Sequence, residues 1–377
     1  MKYDKRRTVP LSQVCTLNMG QSPSFDSYNE NKDGLPFFQG NADFGNIYPK
    51  ERVWCSQPTK IANKDDILLS VRAPIGALNI AKEECCIGRG LAALSPIPSQ
   101  CRMMYLFYAL KSKVKILEQQ GTGSTFKAVG KDIISALHIP LYPLEEQEHI
   151  ISMLSCTDKG IANIHKQLAK LDTLVKSRFI ELYNSTVLSQ EATIDEIVKS
   201  IKVGFVGKCE QYYTDANGIP MLRTGNITSK GLDLSNLKYV TKEFHEKNKK
   251  SQIHTGDILI ARHGTNGQAN VYHGSEAQCL NAVVIVPDVN KVTSVFLAGL
   301  INSCFVRNQI ERTLVGSTQR VINTKSIAKL VVRIPSLSVQ KRYEDFVEQT
   351  EKSKLVLRRL LEKQELLRAA LMQEYFG

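Results

Sequence analysis

The stretch Ile139-Pro-Leu-Tyr-Pro-Leu-Glu-Glu-Gln147 marks the point at which this 377-residue chain changes character. Before it, short apolar runs are broken by Gly, Pro and Asn, a pattern typical of strands and loops. After it, Gly and Pro become scarce and the apolar residues take a helical period. Ile334-Pro335, leading to Gln340 and a second helical run, repeats the same transition 195 residues later. The chain therefore resembles two copies of one unit, each a β-rich segment followed by a long helix.

Three further blocks recur in the same order. Gly34-Leu-Pro-Phe-Phe-Gln-Gly-Asn41 returns as Gly218-Ile-Pro-Met-Leu-Arg-Thr-Gly-Asn226. Asp66-Ile-Leu-Leu69, with Arg72 and Gly76, returns as Asp257-Ile-Leu-Ile260, with Arg262 and Gly267. Gly123-Ser-Thr125 with Lys127 returns as Gly316-Ser-Thr318 with Arg320. The shift grows from 184 to 195 residues, which indicates small loop insertions in the second copy.

We predict an α+β fold: two duplicated mixed α/β heads separated by two long antiparallel coiled-coil helices, as in a dumbbell. One short helix is expected within each head, around 103–118 and 294–311. The predicted boundaries are a first head over 1–143, a central helical spacer over 144–184, a second head over 185–337 and a C-terminal helical spacer over 338–377.

Both helical segments carry apolar stripes that predict a coiled coil. Ser353 and Gln364 interrupt the second stripe. Alternatively, each helix covers only its own sheet, but about 40 residues span about 60 Å, longer than one small sheet domain needs. We predict a seam, and a surface for a partner, that consists of Leu154, Ile161, Leu168, Leu171, Leu357, Leu360, Leu367 and Leu371.

The charge is concentrated in the heads. The chain has 49 Lys+Arg against 37 Asp+Glu, a net charge of +12. Residues 1–143 and 185–337 each hold 18 basic and 12 acidic residues, whereas the helical segments are nearly neutral. Two equally basic heads on a neutral spacer favour a ligand with charge along its length, such as duplex DNA. A generically basic protein is the alternative.

Composition argues against a membrane-spanning protein, an exported protein and a zinc-binding protein. No run of about eighteen apolar residues occurs, and the first residues contain no apolar signal-peptide core. The nine cysteines include no C-x-x-C pair, so neither a zinc site nor a disulfide framework is expected. We expect a cytoplasmic protein with reduced thiols and no membrane partner.

The sequence offers no catalytic or metal-binding constellation. Gly207-Lys208 is followed by Cys209 and lacks the spacing of a phosphate-binding loop. No Pro-Pro pair exists for an amino-methyltransferase tetrapeptide, and Glu30-Asn31-Lys32 lies in a polar loop without the preceding Pro-Asp of a magnesium-dependent nuclease. A self-contained nuclease is therefore disfavoured, and cleavage of DNA by the pure chain with magnesium would establish it.

Hydrogen-bond donors dominate the loops instead. Arg suits guanine, Asn and Gln suit adenine, and Ser and Thr suit phosphate. Turn formation is the competing explanation for the Gly and Asn positions. The candidate DNA-binding residues are Gln39, Asn41, Arg72, Ser124, Thr125, Lys127, Arg223, Asn226, Arg262, His263, Asn266, Ser317, Thr318, Gln319 and Arg320.

These features resemble the specificity subunit of type I restriction-modification systems. The resemblance rests on Gly20-Gln-Ser-Pro-Ser24, the Pro-x-x-x-Gly-Asn segments, the Asp-Ile-Leu strands, the Gly-Ser-Thr turns and the Pro-Leu-Glu-Glu-Gln147 helix start. It covers the whole chain. The second copy departs from it at Pro335-Ser-Leu-Ser-Val-Gln340 and at Gly204-Phe-Val-Gly207.

The resemblance implies that each head is a target recognition domain reading half of a bipartite DNA sequence. It also implies that the helices dock two modification subunits, which carry S-adenosylmethionine and methylate adenine, while a separate motor-nuclease subunit cuts unmodified DNA. This chain would then hold no cofactor and catalyse nothing. A stand-alone bivalent DNA-binding protein without a methyltransferase partner is the alternative, and co-purification would distinguish the two.

Overall fold

The computed structural model describes residues 7–121, 127–184, 190–228, 231–262, 268–314 and 322–377. The chain divides into two compact units. Unit 1 consists of Met1–Ile164 and Arg359–Gly377, and unit 2 consists of His165–Arg358. Each unit combines one β-rich segment with parts of both long helices, whereas the boundaries predicted from the sequence separate heads from helices.

The head of unit 1 is built from short strands and three short helices among its described residues, and is followed by the first long helix. The strands are β1 (Arg7–Pro10), β2 (Cys15–Met19), β3 (Tyr28–Asn29), β4 (Leu35–Phe38), β5 (Trp54–Cys55), β6 (Ile61–Ala62), β7 (Ile67–Ser70), β8 (Leu78–Ile80), β9 (Cys85–Ile87), β10 (Leu91–Pro96) and β11 (His138–Leu141). The helices are α1 (Met103–Ser112), α2 (Val114–Gln120), α3 (Lys131–Ser135) and α4 (Leu144–Asn184).

Unit 1 contains two larger sheets in addition to the pair β1–β11. One sheet has the order β2-β10-β7-β8 and is antiparallel, and the other has the order β3-β5-β4-β9-β6 with β4 and β9 parallel. Strand β7 is apolar at successive positions because both of its faces are covered. Ile67 and Leu69 join the core that contains α1, and Leu68 joins the core on the other side. The pair β1–β11 then leads into α4.

Unit 2 repeats this arrangement. Its strands are β12 (Gln190–Thr193), β13 (Val198–Val203), β14 (Tyr213–Thr214), β15 (Ile219–Arg223), β16 (Ile227–Thr228), β17 (Gly231–Leu232), β18 (Lys238–Val240), β19 (Gln252–Ile253), β20 (Ile258–Ala261), β21 (Ala269–Val271), β22 (Ala277–Leu280), β23 (Ala282–Pro287) and β24 (Val331–Ile334). Its helices are α5 (Ile194–Ile197), α6 (Lys242–Lys247), α7 (Ser294–Asn302), α8 (Cys304–Leu314), α9 (Thr324–Ala328) and α10 (Leu337–Phe376).

The sheets of unit 2 match those of unit 1 strand for strand in their centres. The orders are β13-β23-β20-β21 and β14-β18-β15-β22-β19, with β15 and β22 parallel. Ile258 and Ile260 of β20 face one core and Leu259 the other, as in β7. The predicted duplication of a mixed α/β head is therefore confirmed.

Each head contains two consecutive helices where one was predicted. In unit 1, α1 and α2 meet at Lys113. In unit 2, α7 ends at Ser303, whose buried hydroxyl donates to the carbonyl oxygen of Leu300 at 2.6 Å. The backbone N–H of Ser303 donates to the same carbonyl oxygen at 3.1 Å, so both groups of this residue cap the end of the helix.

A buried glutamine in the first turn of α4 connects this helix to its head. Gln147 Oε1 accepts from the backbone N–H of Arg102 at 2.8 Å, immediately before α1. Its Nε2 donates to the carbonyl oxygens of Gln100 at 3.0 Å and Tyr142 at 2.8 Å. Three backbone groups are satisfied by one side chain, which explains why a polar residue follows the apolar strand β11.

The two long helices, confirmed as 41 and 40 residues, run antiparallel within each unit. In unit 1, Arg368 Nε lies 2.6 Å from Asp158 Oδ1, and Asp158 Oδ2 also accepts from the Tyr108 hydroxyl. In unit 2, Lys354 Nζ lies 2.6 Å from Asp172 Oδ1. Gly160 also lies beside Gln364 in unit 1, and Arg178 lies over the ring of Phe346 in unit 2, so within each unit higher numbers along α4 face lower numbers along α10.

The leucines predicted to form a seam and a partner surface differ in their burial. Leu154 is fully buried, and Ile161, Leu168, Leu171, Leu357 and Leu371 are partly or half-buried. Leu360 and Leu367 instead remain 43% and 49% exposed. Lys354, Gln364 and Arg368 take the heptad positions between the buried leucines. Lys354 and Arg368 form ion pairs with Asp172 and Asp158 of α4, which a count of leucines alone does not reveal.

Candidate nucleic-acid interface

In unit 1, three of the predicted residues come together. Gln39 and Asn41 follow β4, and Arg72 follows β7; all three line one cavity of about 210 Å³. Arg89, in the turn between β9 and β10, lines the same cavity and was not predicted. Four hydrogen-bonding side chains from three separate segments therefore converge, and two of them are always cationic.

The turn that carries Arg89 depends on its two glycines. A Cβ atom at Gly90 would collide with the carbonyl oxygen of Gln39, and one at Gly88 would crowd Phe37. Only glycine permits this close approach of the backbone to the β4 loop. The sequence feature that could have identified this turn is a basic residue between two glycines, Gly88-Arg89-Gly90.

Lys127 also lies near this cavity. Its neighbour Ala128 forms an isolated β-bridge with Arg72. Lys127 itself is exposed. The predicted contacts Ser124 and Thr125 lie outside the described residues, so the cavity is defined here by the residues on the Arg72 side.

In unit 2, Arg223 ends β15 at the position that Gln39 holds after β4, and Arg262 directly follows β20, one residue closer to its strand than Arg72 is to β7. Arg262 Nη1 donates to Asn281 Oδ1 at 3.0 Å, and the Thr224 hydroxyl donates to the Asn281 carbonyl oxygen at 3.1 Å. Asn281 lies between β22 and β23, in the turn equivalent to the one that carries Arg89, and was also not predicted. It has a φ of 52°, a left-handed conformation that asparagine tolerates.

Asn226 has a different position from the one that the repeat predicts. Its Oδ1 accepts from the backbone N–H of Arg223 at 2.9 Å, and its Nδ2 donates to the carbonyl oxygen of Asp233 at 3.0 Å. In unit 1, Asp43 rather than Asn41 accepts the equivalent bond, from the N–H of Gln39 at 2.8 Å. Asn226 is 4% exposed, so in this structure it shapes the loop that presents Arg223.

The two arginines of unit 2 keep unused donors. The Nε atoms of Arg223 and Arg262 are buried and have no acceptor within the described part of the chain. A buried N–H without an acceptor is destabilising, and an anionic or carbonyl oxygen on a ligand would satisfy it. The predicted residues His263, Asn266, Ser317, Thr318, Gln319 and Arg320 lie outside the described residues.

The titratable groups provide no activated nucleophile at this site. Burial raises the pKa of the thiols of Cys85, in β9, and Cys279, in β22, to about 12. Both thiols stay protonated at neutral pH, which makes them weak nucleophiles. Over the described ranges, no group of three His, Cys, Asp or Glu side chains could hold a metal ion. None of the described helices is both long and apolar enough to cross a bilayer.

The chain belongs to the family described as the type I restriction modification DNA specificity domain. The family model matches twice, over residues 4–173 and 186–367, so it covers both copies of the repeat. The resemblance that the sequence motifs indicated is thereby confirmed.

Individual relatives agree with this membership. A protein of Methanocaldococcus jannaschii named as the specificity subunit of type I restriction enzyme MjaX is 41% identical over 42% of this chain, but the match spans only 37% of that protein. The MjaVIII specificity subunit from the same organism is 25% identical over 63% of this chain and 61% of its own. The chain thus spans less than two thirds of the length of either relative.

The fold has a solved counterpart. The crystal structure of the type I restriction-modification system S subunit from M. genitalium superposes with a TM-score of 0.64. The superposition covers 100% of this chain and 98% of that one, at 16% identity. At that identity the likeness is evidence for the shared fold.

Proposed function

We propose that this chain is the specificity subunit of a type I restriction-modification complex and that it reads a bipartite duplex DNA target, one half with each head. The observation that carries the proposal is the convergence of donors in each unit. Gln39, Arg72 and Arg89 meet in unit 1 although they are far apart in sequence. In unit 2, Arg262 and Thr224 both donate to Asn281, and Arg223 directly precedes Thr224.

The chemistry of these side chains suits base edges and phosphates. Arginine pairs with guanine through two parallel hydrogen bonds, and glutamine or asparagine pairs with adenine. Neither set of residues includes a carboxylate, which would repel the DNA backbone. The net charge of +12, divided equally between the heads, supports the same ligand.

In this proposal the chain recognises the DNA sequence, and its partner subunits catalyse the reactions. Two modification subunits bind S-adenosylmethionine and methylate adenine, and a motor-nuclease subunit cuts unmodified DNA. The chain itself has no catalytic residue and holds no cofactor.

The surface of α10 favours a docked partner over a stand-alone DNA-binding protein. Leu355, Leu360, Leu366 and Leu367 are 43% to 71% exposed on this one helix. Exposed leucines on a helix that already packs against another helix are typical of a protein-binding surface. We propose that the modification subunits dock on α10 and on α4.

Mapping of methylated adenines tests the function directly. The chain is expressed with its modification subunit, and the DNA of the cells is sequenced for adenine methylation. A motif with two fixed halves separated by unread bases is the expected result. Methylation without such a motif, or a chain that does not co-purify with the modification subunit, would refute the proposal.

A further inference from the structure

Unit 2 contains a second basic feature next to Arg262. A cavity of about 540 Å³ is lined by Arg262, Lys325 and Lys329, together with Asn323 and Ser326. No Asp or Glu is among its described lining residues. Neither lysine forms an ion pair within the described part of the chain. Three cations thus line one cavity without a counterion, an arrangement that attracts an anion.

Arg262 offers that anion a fixed donor. Its Nη1 is held by Asn281 at 3.0 Å, which fixes the guanidinium plane. Its Nε is buried and finds no acceptor within the described ranges. An oxygen of a bound phosphate would satisfy this donor, and the planar guanidinium suits phosphate geometry.

The equivalent turn in unit 1 has a different charge. Helix α3 (Lys131–Ser135) corresponds to α9 (Thr324–Ala328), since each is a five-residue helix that leads into the last strand of its head. At the second position of the helix, Asp132 stands where unit 2 has Lys325. At the residue after the helix, Ala136 stands where unit 2 has Lys329. The two lysines are therefore a feature of the second unit.

We propose that this cavity binds a phosphodiester group of the DNA backbone through Arg262, Lys325 and Lys329. The inference rests on the proposed function and adds to it a sequence-independent contact made by the second head. Phosphate contacts fix the position of a protein on the duplex and make its affinity depend on salt. The volume exceeds that of a single phosphate, so the flanking sugar also fits.

The test compares two double variants of the full chain in binding a mixed-sequence fluorescent duplex by anisotropy, over a series of salt concentrations. Lys325→Gln/Lys329→Gln removes the two cations, and Lys166→Gln/Lys170→Gln is the control, because these lysines are exposed on α4 with the same spacing. We expect the first variant to bind about tenfold more weakly. Its negative slope of log affinity against log salt should become shallower by about 0.9, the value for one lost phosphate contact. The control should match the wild type.

Further arms separate the possible failures. Lys325→Arg/Lys329→Arg keeps the charge and should restore the slope, which a merely structural role would not predict. If the wild type binds the duplex and the Gln variant has an unchanged slope, the phosphate site is refuted while DNA binding stands. If the wild type does not bind the duplex at all, the proposed function fails. If pyrophosphate binds in a lysine-dependent manner but duplex binding is lysine-independent, the cavity serves a small free anion and the backbone proposal is overturned.

Discussion

Gln340 makes in unit 2 the three hydrogen bonds that Gln147 makes in unit 1. Its Oε1 accepts from the N–H of Thr293 at 2.8 Å, and its Nε2 donates to the carbonyl oxygens of Lys291 at 3.0 Å and Pro335 at 2.9 Å. Both amides are fully buried. In each unit the glutamine therefore joins the start of a long helix to the start of a head helix, and it fixes how that helix leaves the head.

Replacement of Gln147 by leucine should be strongly destabilising. The variant leaves one buried N–H and two buried carbonyl oxygens without a partner, so we expect a loss of about 2–4 kcal/mol in the free energy of unfolding. Chemical denaturation measures it. Gln167→Leu, on the exposed side of the same helix, is the control and should change stability by less than about 0.5 kcal/mol. A mild effect of Gln147→Leu would mean that water replaces the amide.

We expect Asn226→Ala to lower stability and Asn41→Ala to weaken DNA binding. Asn226 is buried and bonded to three backbone groups, so its loss should cost about 1–3 kcal/mol in stability. Asn41 is half-exposed in the candidate cavity, so its loss should leave the melting temperature unchanged and weaken binding to target DNA. Thermal unfolding and anisotropy measure the two quantities. Equal melting temperatures for both variants would contradict the assigned difference.

Arg89→Ala should alter one half of the methylated motif. The side chain lies with Gln39 and Arg72 in the unit 1 cavity, so only the half-site read by that head should relax. One lost arginine–guanine pair is worth about 1–3 kcal/mol of discrimination. Mapping methylated adenines shows the outcome, with Arg333→Ala, exposed on a strand of unit 2, as the control. A change in both halves would indicate that the heads are coupled.

Lys354→Leu should increase stability slightly, by about 1 kcal/mol. The Lys354 side chain is 8% exposed, whereas its partners Asp172 and Glu351 are 62% and 50% exposed and can be solvated without it. Burial lowers the pKa of Lys354, but its hydrogen bonds to the two carboxylates outweigh this and raise the pKa, so the group is charged at neutral pH. Replacing a buried ion by an apolar residue is often stabilising.

Thermal unfolding checks this, with Lys352→Leu as the control. Lys352 is 71% exposed and bonded only to Glu348 among the described contacts, so its replacement should have almost no effect. A clear loss of stability in Lys354→Leu would show instead that the ion pair contributes more than its desolvation costs.

Lengthening both helices should widen the gap between the half-sites. Four added residues near Leu168, with four near Arg358, extend each helix by about 6 Å. At about 3.4 Å per base pair, the unread gap should grow by one or two base pairs. The methylated motif of the insertion variant measures the gap. An unchanged gap would rule out the helices as the element that sets it.

The repeat and the long helices were predictable because they rest on local pattern. The change from strand-like runs to a helical period identifies the repeated units. It can be recognised without knowing which segments contact each other in the fold. The repeated aspartates of the Asp-Ile-Leu blocks also recur for a local reason. Asp66 Oδ2 accepts from the N–H of Asn63 at 2.8 Å, and Asp257 Oδ2 from the N–H of His254 at 2.9 Å.

Arg89 and Asn281 were missed because their role depends on tertiary contacts. Each lies in a turn that meets the candidate site only through a parallel pairing of distant strands, β4 with β9 and β15 with β22. Asn226 was assigned to contact rather than loop shaping because a one-residue difference in loop length hides its match with Asp43. Such shifts move a side chain between the surface and the interior without altering the motif.

The burial of Phe376 imposes an order on how the protein matures. Its ring lies 5.1 Å from that of Tyr105, and its carbonyl oxygen accepts from Lys113 Nζ at 2.9 Å. On the ribosome, the β-rich part of unit 1 is made first, yet its core is incomplete until the residues near 376 have been added. Unit 2 is continuous in sequence and can close as soon as it is synthesised. We therefore expect unit 1, whose synthesis begins first, to complete its core only after the end of α10 has been made.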